Sequence, residues 1–80
     1  MFSKEAKRLI KDMKDDHELR EKVRNIIKRG KEVLDTYESP QSAGTVVAEL
    51  ESSMVRELGY DIDAPMWMLN AKKIFRASGY

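Results

Sequence analysis

The stretch LIKDMKDDHELREKV, residues 9–23, holds parts of two apolar series that no single straight helix can serve. Upstream, Phe2, Ala6, Leu9, Ile10 and Met13 recur at helical spacing and fall within about 100° of one another on a helical wheel. Downstream, Leu19, Val23, Ile26, Ile27, Val33, Leu34 and Tyr37 make an equally narrow stripe, but one continuous helix would turn it by about 100° from the first. A break near Asp15 and Asp16 removes the conflict. Either aspartate can cap a helix, and Asp15 with Glu18 has the spacing of a capping box. The expectation is a first amphipathic helix over residues 2–13, capped by Ser3, and a second over about residues 16–38.

Gly30 lies in the middle of the second apolar face. Inside a helix it costs about 1 kcal/mol relative to alanine, so it is expected either to admit a neighbouring helix closely or to end the helix there. Continuity of the stripe across it favours close approach. Beyond Glu38, Ser39-Pro40-Gln41-Ser42-Ala43-Gly44 reads as a connector, because proline disfavours helix in the residue before it and turn formers cluster there. Val46, Val47, Leu50, Met54, Val55 and Leu58 form a broad apolar arc, which predicts a third helix closed by Gly59. Asp63-Ala64-Pro65 is a helix start, and the fourth helix is expected to reach about Ser78 with Gly79 as its C-cap. On that helix Trp67, Ala71, Ile74, Phe75 and Met68 share the inner face, and Leu69 falls outside among Lys72, Lys73 and Arg76. The predicted fold class is all-α: about four helices around a single core, one domain over residues 1–80.

Eighty residues, 41% apolar and 36% charged, with a mean hydropathy of −0.60, suit one modest soluble domain and leave no room for a second. The chain has no cysteine, which excludes disulfides and thiolate metal sites and accords with a cytoplasmic protein. Its opening residues never make the apolar run of a signal peptide or membrane span. Residues 1–30 carry 10 basic and 6 acidic side chains, residues 31–63 carry 2 and 8, and residues 64–80 carry 3 and 0. Such asymmetry either steers an acidic partner or docks the chain's own segments, and the second is favoured.

Catalysis is not expected. His17 is the single histidine, there is no cysteine, and the glycines at 30, 44, 59 and 79 make no phosphate loop. The pairs Asp15/Asp16 and Asp61/Asp63 lack the glycine and closing glutamate of a Ca²⁺ loop and are read as helix caps. No catalytic residue, metal or other cofactor and no small-molecule substrate is therefore assigned. Lys4, Lys7, Arg8, Lys11 and Lys14 line one face of the first helix, without aromatic residues to stack bases, and are read as a solvated face. The last third of the chain crowds Met54, Tyr60, Met66, Trp67, Met68, Leu69 and Tyr80 together, residue types enriched where proteins meet. The expected function is that of a small regulatory or adaptor module binding another protein or a second copy of itself. Met66, Trp67, Leu69 and Tyr80 are its interface candidates.

Residues 54–62, MVRELGYDI, followed by the Pro65-led helix, resemble a helix-turn-helix unit over about 25 residues. The resemblance implies DNA binding by residues 54–77, with Asn70, Lys72, Lys73 and Arg76 presented to the duplex. Asp61 and Asp63 depart from that pattern, standing where phosphates and base edges would approach. Ala6, Leu9, Ile10, Asp16, Leu19 and Val23 are also spaced like the opening helices of the Nif11-like leader family, and Leu58-Gly59-Tyr60 is similar to its later segment. The chain has no double-glycine processing site and no cysteine-bearing core peptide, so a precursor role is not carried over.

Overall fold

Two out-of-phase apolar stripes are resolved by a single extended residue. In the computed structural model, which describes residues 4–37 and 40–79 with the side chains of 40–42 excepted, Asp16 adopts φ −122° and ψ 100° between helices α1 (Lys4–Asp15) and α2 (His17–Asp35). Its carboxylate accepts the Leu19 backbone N–H at 3.0 Å, so Asp16 is the cap and Asp15 closes α1. Arg20 seals the other side of the joint, its guanidinium donating to the Met13 carbonyl at 3.0 and 3.2 Å. Two helices thereby turn their separate stripes, Ala6, Leu9 and Met13 on one and Leu19, Val23, Ile26 and Ile27 on the other, into one core. The expected Ser3 cap, and Phe2 with it, lie outside the described residues.

Helix α2 runs unbroken through Gly30, which is buried. It ends at Asp35, three residues before the expected limit, and Leu34 and Tyr37 stand exposed instead of completing the apolar stripe. The connector is also shorter than its composition suggests, because α3 (Pro40–Glu57) already includes residues 40–44. Proline at a first helical position has its ring preorganised and lacks only an N–H that would be orphaned anyway, so Pro40 starts a helix where it was read as part of a loop. The inner face of α3 is Ala43, Val47, Ala48, Glu51, Ser52 and Val55, narrower and made of smaller side chains than the expected arc; Val46 is exposed.

Gly59, at φ 97°, reverses the chain after α3, a conformation that L side chains rarely adopt. Tyr60 and Ile62 then bury themselves, and Asp63 caps α4 (Ala64–Ser78) by accepting the Met66 N–H at 2.9 Å. Gly79, at φ 96°, ends it. Helices α1 and α3 each pack against both α2 and α4. The four described helices enclose a single core, and no strand occurs among the described residues. No helix there is long and apolar enough to cross a membrane.

Candidate interaction surface

The inner face of α4 is closed. Trp67 is 1% exposed and Ile74 fully buried, with the Trp67 and Phe75 rings 6.4 Å apart at 59°. Trp67 was both a core and an interface candidate, and its burial assigns it to the core. Asn70, expected to face a nucleic acid, is 1% exposed and donates from Nδ2 to the Met66 carbonyl at 2.8 Å, so it presents nothing to a base edge. The reason lies in its position three residues after Trp67 and four before Ile74, both on the inner face. Met68 corrects the sequence reading in the other direction: expected inside, it is 55% exposed.

Outside, Leu69 is 66% exposed, as its wheel position among cations implies. Leu69, Lys72, Lys73 and Arg76 line one shallow trough of about 320 Å³. Met66 is half-buried against the core, and Tyr80 lies outside the described residues. The surface that emerges is smaller than the expected one: Met68 and Leu69 as the apolar part, with three cations beyond them.

The turn that would join a helix-turn-helix pair is occupied from within. Arg8 of α1 donates to the Gly59 carbonyl at 2.6 Å, lies 4.1 Å over the Tyr60 ring, and is held by Glu5 through two 2.9 Å bonds. Glu5 also accepts the Asp61 N–H at 3.1 Å, and the Tyr60 hydroxyl donates to Asp12 at 2.6 Å. Hydrogen bonding to Arg8 first, and to the Asp61 N–H second, brings the Glu5 pKa down to about 2. Burial first, and the Asp12 carboxylate second, push the Tyr60 hydroxyl up to about 12. Part of the basic face of α1 is thus a brace for the α3–α4 turn. This brace is not the docking of oppositely charged segments expected from the sequence: both ion pairs of Arg8, to Glu5 and Asp12, stay within α1, and its reach to the turn is to a carbonyl and a ring.

A second feature was not singled out from sequence. Glu51, 5% exposed, lies on the floor of an apolar groove of about 200 Å³ lined also by Ile27, Gly30, Leu34, Val47 and Phe75, with Lys31 contributing from α2. Trp67 Nε1 donates to its Oε1 at 3.2 Å. A Cβ on Gly30 would stand 2.7 Å from the Glu51 carboxyl carbon, which is the close approach that Gly30 was expected to permit. Burial raises the Glu51 pKa from 4.5 to about 7, against the opposing effect of the Trp67 bond. The available signal was that Glu51 sits four residues from both Val47 and Val55, inside the apolar arc.

Asp16 and Asp63 serve as caps, and no group of three or more potential metal ligands occurs among the described residues. No protein-family model matches the chain, nor does any of the curated proteins or solved structures with which it was compared.

Proposed function

We propose that this chain is a small non-enzymatic protein-interaction module, regulatory or adaptor in kind, that meets its partner through the outer face of α4. The observation that carries the reading is the pair Met68 and Leu69, both mostly exposed on a helix whose opposite face is closed into the core. Fully burying a leucine is worth about 2 kcal/mol, so leaving these side chains in water is a cost that a partner would recover. Methionine and arginine beside them are types enriched at interfaces. The partner is another protein or a second copy of the chain. A cytoplasmic location belongs to the same proposal and rests on the cysteine-free composition alone.

Leu69→Asp tests this reading. Because Leu69 is largely exposed, the variant is expected to keep the parent's far-UV circular dichroism while losing self-association in sedimentation velocity or retention of a bound protein in a pull-down. A folded variant that matches the parent in both would falsify the assignment of the surface. The rival reading, duplex DNA binding by residues 54–77, is favoured by the exposed Lys72, Lys73 and Arg76. Against it stand buried Asn70 and the exposed Asp61 and Asp63 at the start of α4. Steeply salt-dependent binding to mixed-sequence duplex, lost when the three cations become glutamine, would put that reading in front.

A further inference from the structure

We propose that the partner of the α4 face is an acidic amphipathic helix, with its apolar anchor at one end and two or more carboxylates at the other. This rests on the reading of α4 as an interaction surface and adds the chemistry of what docks there. The basis is the order of side chains along the face. Met68 and Leu69 stand in the first half of α4, and Lys72, Lys73 and Arg76 follow three, four and seven residues after Leu69. Those offsets keep all three cations on Leu69's side of the helix, with Arg76 about 10 Å further along the axis. Leu69 and the cations share one trough, so an anchor seated on Leu69 brings the next two turns of its own helix over Lys72, Lys73 and Arg76. Residues 64–80 contain no aspartate or glutamate, so no side-chain carboxylate of that segment opposes Lys72 and Arg76. Electrostatic complementarity then favours a carboxylate-bearing helix and sets its direction.

Two other anionic partners fit less well. A phosphate backbone makes no use of an exposed Leu69 beside Met68, and Asp61 and Asp63 would repel it at the start of the helix. A membrane-surface helix turns a wide apolar face to the lipid, whereas the wide apolar face of α4 is buried against the core and only Met68 and Leu69 project.

The test is a fluorescence-anisotropy titration of the full chain against a labelled synthetic helix with leucines on one face of its first half and glutamates on the same face of its second. Binding in roughly the micromolar range at low salt is expected. Replacing the peptide's glutamates by glutamine, or the protein's Lys72, Lys73 and Arg76 together by glutamine, is expected to weaken it at least about tenfold. Leu69→Asp and the milder Leu69→Gln, both checked for fold by circular dichroism, are expected to do the same. Equal affinity for the glutamine peptide, no binding of the acidic one, or tighter binding to duplex DNA or to phosphatidylserine vesicles would overturn the proposal. If the peptide fails while Leu69→Asp still abolishes self-association or pull-down, the acidic-helix partner falls and the α4 surface stands. If Leu69→Asp changes nothing in any assay, both fall.

Discussion

Glu51 concentrates the chemistry of the core in one carboxyl. Its protonated form is favoured in the fold, because burial raises its pKa from 4.5 to about 7. The group's contribution is therefore fully present below pH 4.5 and lost as pH rises through about 7, a span worth at most about 3 kcal/mol. The facing groups are Trp67 from α4 and Lys31 from α2. Urea midpoints are expected to fall between about pH 5 and about pH 8, and Glu51→Gln is expected to flatten that slope. An unchanged slope in the variant would assign the pH dependence elsewhere. Glu5 acts in a separate acid window, its contribution lost as pH falls from 4.5 through about 2. Gly30 and Glu51 are also coupled by contact. Gly30→Ala is expected to gain helix propensity but displace the Glu51 carboxyl from Trp67, leaving the protein no more stable. In a Glu51→Ala background the same change is expected to stabilise by about 1 kcal/mol. Identical effects in both backgrounds would remove the coupling. The glycine's role was legible from its place on the apolar face. That of Glu51 was signalled only by its four-residue spacing from Val47 and Val55, which an apolar count passes over because glutamate is not counted.

At the scale of elements, four helix boundaries were legible from an aspartate or a glycine, whereas the end of α2, with Thr36 as its C-cap, was not. Asp16 and Asp63 both accept an N–H three residues on, and Gly59 and Gly79 both take positive φ. Asp16→Ala is expected to cost about 1 kcal/mol, lowering the melting temperature by roughly 4–8 °C, whereas Asp15→Ala removes no cap and should change little. Equal losses from the two would mean that the joint is not capped as described. The start of α3 was misread because Ser-Pro-Gln-Ser suits a loop and a first turn equally, and composition does not separate them. The inner face of α3 was misread for a different reason. Ala48 and Ser52 lie where helices pack closely, and an apolar count gives small residues too little weight against exposed Val46.

Taken whole, the described molecule has a radius of gyration of 11.9 Å, close to the roughly 12 Å expected of a compact chain this long. Trp67 and Ile74 of α4 close into the core while Met68 and Leu69 project from it. Leu69 could be placed there from the wheel alone, since it shares its side with three cations. Trp67 was placed inside by the same wheel, but Met68 and Asn70 were not placed correctly, because their sides depend on how α4 is rotated against its neighbours. The basic face of α1 gains a structural role through Arg8, which holds the α3–α4 turn. The most direct test of the α4 surface is a ¹H–¹⁵N correlation map of the labelled protein, recorded during titration with the acidic amphipathic peptide. The largest shifts are expected at Met68, Leu69, Lys72, Lys73 and Arg76, with α2 unmoved. Shifts centred on the basic face of α1 or on the groove around Glu51, with α4 silent, would contradict it.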